Sequence, residues 1–311
     1  MSGRGEPPRV LHVLTGCTAV GKTEWALRWA EENGAEILSC DSLLVYRGMD
    51  IGTAKPTAAE RARVPHHLVD IREVGEPMNA AVYAGLARAA AGEIAGRGRP
   101  ILVVGGSGFY LRSFFAPVAD RVAIPAEVRD RVAALLAAEG MRGAVGELHR
   151  LNPAGVGTLD TGNPRRVAAA LARCLTSGRT LTELAADFAA VPAPFAGWAV
   201  RLARLDRAPD DLRARIDLRV AAMLQAGLVA EVRRLLSAGL AANPSAARAI
   251  GYRETVDVLE GRAPEAGLAG AIAQDTRALV KKQRTWFRTQ LPRHPVVPAG
   301  TLRSASALFS G

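Results

Sequence analysis

The sequence predicts an α/β protein: a doubly wound parallel sheet interrupted by an all-helical insertion. Three observations carry that prediction. Short apolar runs bounded by turn residues alternate with helix-length segments over the first 120 residues. The alternation stops between residues 121 and 197, where only helix signals remain, and a strand-like run returns at residue 198. A glycine-rich loop joins the first apolar run to the first helix, at the carboxyl end of a strand, where open parallel sheets gather ligands.

Taken in order, Val10-Leu11-His12-Val13-Leu14 reads as a buried strand. The loop after it, Gly16-Cys17-Thr18-Ala19-Val20-Gly21-Lys22-Thr23, fits G-x-x-x-x-G-K-[ST]. Gly16 and Gly21 allow tight turns without a Cβ in the way. The intervening N–H groups cradle phosphate, Lys22 adds a mobile charge, and the Thr23 hydroxyl is placed to ligand Mg²⁺. The core is therefore expected to be P-loop NTPase-like, and its loop to hold a diphosphate or triphosphate. A helix over 22–33 ends at Gly34, a C′ glycine. The run 35–41 is a second strand carrying Asp41 at its carboxyl end, within reach of the loop. Residues 42–56, which hold Gly48, Asp50, Gly52 and Lys55, read as an active-site loop. The run 66–71 is a third strand candidate. His66 and His67 point to opposite faces of it and are read as structural. Asn79 caps a helix to about residue 95, and Pro100 to Gly106 is a buried strand leading into Gly-Gly-Ser-Gly and another helix.

Within the insertion, Pro125 opens one helix, and Asn163-Pro164 opens another that ends near Gly178. The run 198–202 returns as a strand, and helices follow after Pro209 and near Ala246 and Pro264. The expected organisation is a loose tail over 1–9, a core made of 10–120 and 198–300, the insertion over 121–197, and a tail over 301–311 whose residues 304–311 are small and polar enough to fray.

Composition narrows the partners. The chain has 311 residues, 49% of them hydrophobic, and no apolar run long enough to span a bilayer. The polar start has no signal-peptide h-region. Cys17, Cys40 and Cys174 lack metal-site spacing and suit a reducing cytoplasm as free thiols. The net charge of +10 is unevenly placed: residues 1–120 carry 13 basic and 13 acidic residues, the remainder 27 against 17. A neutral phosphate-loop half joined to a basic remainder points to a polyanion held by the remainder. In the last long helix Arg277, Lys281, Arg284 and Arg288 share one face, Lys282 flanks them, and no acid follows Asp275. Trp286 and Phe287 are read as core anchors.

These residues resemble a known family. The phosphate loop, Asp41-Ser42, the block from Val45 to Pro56 that contains Gly-Met-Asp-Ile-Gly-Thr-Ala-Lys-Pro, and Val104-Gly105-Gly106-Ser107-Gly108-x-Tyr110 are similar to those of tRNA dimethylallyltransferases. Asn163-Pro164-Arg165-Arg166, Gly178-x-Thr180-Leu181-Thr182-Glu183-Leu184, Ile250-Gly251-Tyr252-Arg253 and Lys282-Gln283-x-Thr285-Trp286 continue the match in family order. The resemblance implies transfer of a dimethylallyl group from dimethylallyl diphosphate to the exocyclic amine of the adenosine 3′ of the tRNA anticodon, with Mg²⁺ as cofactor and a single chain as the working unit.

By the same resemblance Asp41 is the base that orients the amine and takes its proton, and Arg219 binds the diphosphate. Ser107, the third residue of the implied catalytic set, stands where relatives carry Thr and keeps the hydroxyl for a phosphate or RNA contact. The implied RNA contacts are Asp41, Ser42, Leu43 and Leu44; Ser107; Arg129, at the entry channel; Arg165, Arg166, Val167, Ala168 and Ala169; Arg248, Ala249, Ile250, Gly251, Tyr252 and Arg253; and Arg277, Lys281, Lys282 and Arg284. The insertion would embrace the anticodon stem-loop. Leu44 replaces a common Gln, and no Cys/His finger follows the core, as in compact bacterial members. The loop alone would equally suit a kinase or NTPase using ATP, but no Asn-Lys-x-Asp guanine motif is present. A non-catalytic RNA-binding module would leave Lys22 and Asp41 without a role.

Overall fold

The computed structural model describes residues 9–119 and 122–310. Strand β1 (Arg9–Gly16) leads through the phosphate loop into helix α1 (Lys22–Asn33), which Gly34 ends in the left-handed conformation. Then come β2 (Glu36–Ser39), α2 (Ala58–Arg63), β3 (His66–His67), α3 (Ala80–Gly96), β4 (Ile101–Val104) and α4 (Gly108–Arg112). Helices α5 (Ala126–Leu151), α6 (Pro164–Ser177) and α7 (Leu181–Ala190) interrupt the alternation. The chain resumes with β5 (Trp198–Asp206), α8 (Pro209–Gln225), α9 (Leu228–Ser237), α10 (Pro244–Ala247), α11 (Tyr252–Leu259), α12 (Leu268–Gln290) and β6 (Val296–Pro298).

Among the described residues the six strands form one sheet, ordered β3-β2-β4-β1-β5-β6, and every pairing is parallel. Central β1 is buried on both faces, which is why it reads as a near-continuous apolar run. The chain winds to one side of β1 with β2, β3 and β4 and to the other with β5 and β6. The switch point therefore falls beside the carboxyl end of β1. Strand ends crowd there. A Cβ at Gly16 would lie 2.6 Å from the Leu205 carbonyl oxygen, and one at Gly105 would run into the Cys40 carbonyl. Gly105→Ala is expected to cost about 3 kcal/mol, because backbone rather than a yielding side chain must move; denaturant unfolding measures it.

The structure corrects three sequence expectations. The third strand stops after His67, because Leu68 and Asp70 take positive φ. Asp70 is held by Lys55 and Arg61, and that pinning bends the chain away from the sheet. The C-terminal segment does not fray: residues 305–309 form a 3-10 turn with Ala305 and Leu308 buried, and Phe309 packs against Trp29 and His12 at 5.3 and 4.9 Å. Residues 1–8 of the expected N-terminal tail lie outside the described residues. Arg9 already belongs to β1, its guanidinium over the Trp198 ring.

The chain divides into two compact units, Met1–Val118 with Ala193–Gly311, and Ala119–Pro192. The second holds α5, α6 and α7 around Val132, Leu148, Val167, Leu171 and Leu184. Asn163 caps α6 by accepting from the Arg165 and Arg166 N–H groups, and Gly178 closes it at φ 66°. Buried Asn152 joins α5 to α7, donating to the Leu148 carbonyl and accepting from the Leu181 N–H.

Candidate active site

Three strands of the core deliver the site. Past β2, the Cys40 N–H donates to the Val104 carbonyl, and past β4, the Gly105 N–H donates to the Leu14 carbonyl. The buried Thr15 hydroxyl donates to the Gly105 carbonyl. The phosphate loop, Asp41 and the Gly-Gly-Ser turn are thereby set side by side. Ser107 accepts from the Ser42 N–H at 2.9 Å, and Asp41 accepts from the Leu43 N–H at 2.9 Å. Together these bonds fix the direction of the Asp41 carboxylate.

The loop is held from outside as well as within. Arg207 donates to the Val20 carbonyl at 2.8 Å and Arg215 to the Ala19 carbonyl at 3.0 Å, so these two loop carbonyls are held by arginines that follow β5. Gln283 of α12 accepts from the Thr18 N–H at 3.1 Å and donates to the Gly106 carbonyl at 3.2 Å. Lys22 donates to the Gly16 and Cys17 carbonyls. Burial is the main cause lowering the Lys22 pKa to about 8; Asp41 opposes the shift and Arg219 assists it. An anion beside Lys22 favours its protonated form. Affinity for an alkyl diphosphate is therefore expected to fall as pH rises above about 8, by up to about tenfold per unit. Titration calorimetry across that range tests it, and a flat profile would remove Lys22 from the binding step.

Two cavities meet at Asp41. The first, about 720 Å³, is the more polar of the two and takes in Thr18, Ala19, Gly21, Lys22 and Thr23 of the loop with Arg215 and Arg219. The second, about 680 Å³, is walled by Ile216, Val220, Met223, Ile250, Leu279 and Trp286, and Phe109 stands 70% exposed at its edge. Thr18, Asp41, Thr53, Gly106, Arg219 and Gln283 line both. Arg219 donates to the Thr53 carbonyl at 3.0 Å; burial lowers its pKa while the Asp41 charge opposes that. An anion subsite and an apolar subsite thus share a wall that carries one carboxylate and one guanidinium. Asp50 and Asp70, the other aspartates of this part of the chain, are paired: Asp70 with Lys55 and Arg61, and Asp50 with Lys55.

The segment 50–53 that presents Thr53 hangs on a residue that sequence reasoning does not single out. Buried Glu231 accepts from the N–H groups of Asp50, Ile51 and Gly52 and from the Tyr252 hydroxyl, at 2.7 to 3.2 Å. A signal for it exists, since Glu231 occupies the apolar face of α9 with Leu228, Val232 and Leu235. Arg207 and Phe109 likewise escape a linear reading, and Gln283 enters it only within the Lys282-Gln283-x-Thr285-Trp286 match, with no role given. A buried hydrogen-bond role for an Arg or Gln leaves no periodic mark.

The expected RNA-contact residues fall into separate groups. Ser42, Leu43, Ser107, Arg248, Ala249, Ile250, Arg253 and Lys282 line the second cavity, while Leu44 lines the first. Arg277 and Lys281 border a groove with Arg213, and Arg277 pairs with Asp217 at 2.9 Å. Arg129, Arg165, Arg166 and Ala169 are exposed on the helical unit, and Ala168 is half-buried. Three residues are corrections. Tyr252, Gly251 and Val167 are buried, Tyr252 because its hydroxyl serves Glu231 and Val167 because it belongs to the helical core. Arg284 lines neither cavity; its guanidinium donates to the Asp206 carboxylate and the Arg207 carbonyl, both at 2.7 Å.

Comparison with known proteins agrees with this geometry. The chain is 67% identical to a tRNA dimethylallyltransferase of Opitutus terrae, over 98% of this chain and 97% of that protein. It is 38% identical to tRNA dimethylallyltransferase 1 of Trichlorobacter lovleyi, over 97% and 99%. The crystal structure of a full-length tRNA isopentenylpyrophosphate transferase from Bacillus halodurans superposes with a TM-score of 0.67 at 30% identity, covering 94% of this chain and 90% of that one. A eukaryotic dimethylallyltransferase captured acting on tRNA shares the fold, with a TM-score of 0.81 at 22% identity over 94% of this chain and 74% of that one. The IPP transferase profile itself matches residues 44–290, and with a shared wall of that composition behind the match, the chain belongs to the IPP transferase family.

Proposed function

We propose that the chain transfers the dimethylallyl group from dimethylallyl diphosphate to the exocyclic amine of the adenosine 3′ of the tRNA anticodon, with Asp41 as general base. The observation that carries the reading is the position of Asp41 on the wall common to the anion cavity and the apolar cavity. The diphosphate lies in the first cavity against the loop N–H groups, Lys22 and Arg219. The target base, which is stacked in the free anticodon arm, must be turned out to enter the second. A bond forms between the amine nitrogen and the allylic carbon as the bond from that carbon to the bridging oxygen breaks. Loop N–H groups, Lys22 and Arg219 stabilise the charge that builds on that oxygen. The amine lone pair is delocalised into the ring, so Asp41 orients the amine and takes its proton. Ser107 acts through Asp41, as a positioning residue.

Mg²⁺ fits the Thr23 hydroxyl, which opens on the anion cavity near Asp41, since this ion takes one or two protein oxygens and fills its shell with phosphate oxygens and water. When bound there it would neutralise charge on the leaving diphosphate. RNA is held by Arg248, Arg253 and Lys282 around the second cavity, by Arg277 and Lys281 on α12, and by Arg129, Arg165 and Arg166 on the helical unit. The basic excess after residue 120 supports this. No described helix is long and apolar enough to cross a membrane, and all three cysteines are free and buried, which suits a cytoplasmic enzyme. The protein is tested with Mg²⁺, unmodified tRNA and either dimethylallyl diphosphate or ATP. The expected result is a gain of one dimethylallyl unit on tRNA with diphosphate release. ATP hydrolysis without alkylated tRNA overturns the reading.

A further inference from the structure

Outside the active site, a hollow of about 770 Å³ opens between the end of β5, the last turns of α12 and the segment entering β6. It shares no lining residue with either active-site cavity. Five arginines face it, Arg204, Arg207, Arg284, Arg288 and Arg293, against one carboxylate, Asp206. That carboxylate is already engaged, by the Arg284 guanidinium at 2.7 Å and the Arg207 N–H at 2.9 Å. Arg207 is balanced by Asp211 and the Val20 carbonyl. Arg204, Arg288 and Arg293 make no side-chain hydrogen bond or ion pair among the described residues, and the Arg204 Nε is buried without a partner.

Guanidinium groups brought together without counter-charge repel one another, and a buried donor left unmade costs about 1–3 kcal/mol. A phosphate removes both costs, because its oxygens accept forked N–H pairs from several arginines at once. We propose that this hollow is a phosphate-binding site distinct from the active site, its ligand a backbone phosphate of bound RNA or a free phosphate anion. The RNA source rests on the function proposed above; the free-anion source does not.

The test uses the full chain carrying Arg288→Ala with Arg293→Ala, two exposed side chains without partners, beside a control pair, Arg88→Ala with Arg234→Ala. Melting temperature checks the fold of each. If RNA supplies the phosphate, tRNA affinity falls about tenfold and the slope of log K against log salt drops by about 1, while the KM for dimethylallyl diphosphate stays unchanged. If the ligand is a free anion, tRNA binding is unaltered, but inorganic phosphate raises the melting temperature of the variant less than that of the parent. A variant matching its parent in both readouts, or a control pair that changes equally, overturns the site. Absence of prenyl transfer by the parent would instead sink the proposed function and leave the phosphate measurement standing.

Discussion

Asp41→Asn is expected to bind both dimethylallyl diphosphate and tRNA as the parent does and to turn over about 10²-fold more slowly or worse. The amide keeps the volume of the carboxylate and can still accept from the Leu43 N–H, so the turn that aims residue 41 survives. What it loses is the ability to take a proton as the nitrogen–carbon bond forms. The charge facing Lys22 and Arg219 across the shared wall goes with it. Single-turnover kinetics with saturating substrates separates the chemical step from binding. A variant with parental turnover would give Asp41 another role.

The second large effect concerns stability. Glu231→Ala is expected to lower the unfolding free energy by about 3 kcal/mol, because three backbone N–H groups and the buried Tyr252 hydroxyl lose their acceptor together. Tyr252→Phe removes one of those bonds and is expected to cost only about 1 kcal/mol. The loosened segment also carries Thr53, whose carbonyl holds Arg219, so the KM for dimethylallyl diphosphate should rise at temperatures where the variant is still folded. Urea unfolding reads the first effect and steady-state kinetics the second. Equal stabilities for parent and Glu231→Ala would show that the 50–53 segment holds itself.

Much of this site is legible in the amino-acid order alone. Gly16, Gly21, Lys22 and Thr23 announce themselves by spacing, and Asp41 by standing at the end of an apolar run next in order after the loop. Helix ends are legible where chemistry marks them, at Gly34, Asn79, Asn163-Pro164 and Gly178. The third strand reads too long because local composition cannot show that Lys55 and Arg61 seize Asp70. The C-terminal turn is hidden because Leu308 and Phe309 are too few to show a period, although burial of Leu308 and the packing of Phe309 on Trp29 are enough to dock it. Helical spacing puts Arg277, Lys281, Arg284 and Arg288 on one face but cannot say that Arg284 pairs with Asp206. Long-range partners of charged side chains are set by tertiary contacts, and a linear pattern does not encode them.

The account turns on one carboxylate facing two substrates, and a crystal structure with an anticodon stem-loop and an unreactive dimethylallyl diphosphate analogue addresses it most directly. The expected result is diphosphate on the loop from Gly16 to Thr23, an everted adenine in the cavity beside Ser107 and Arg248, and its exocyclic amine about 3 Å from the Asp41 carboxylate. Diphosphate bound elsewhere, or an adenine seated with its amine beyond hydrogen-bond reach of Asp41, would contradict it.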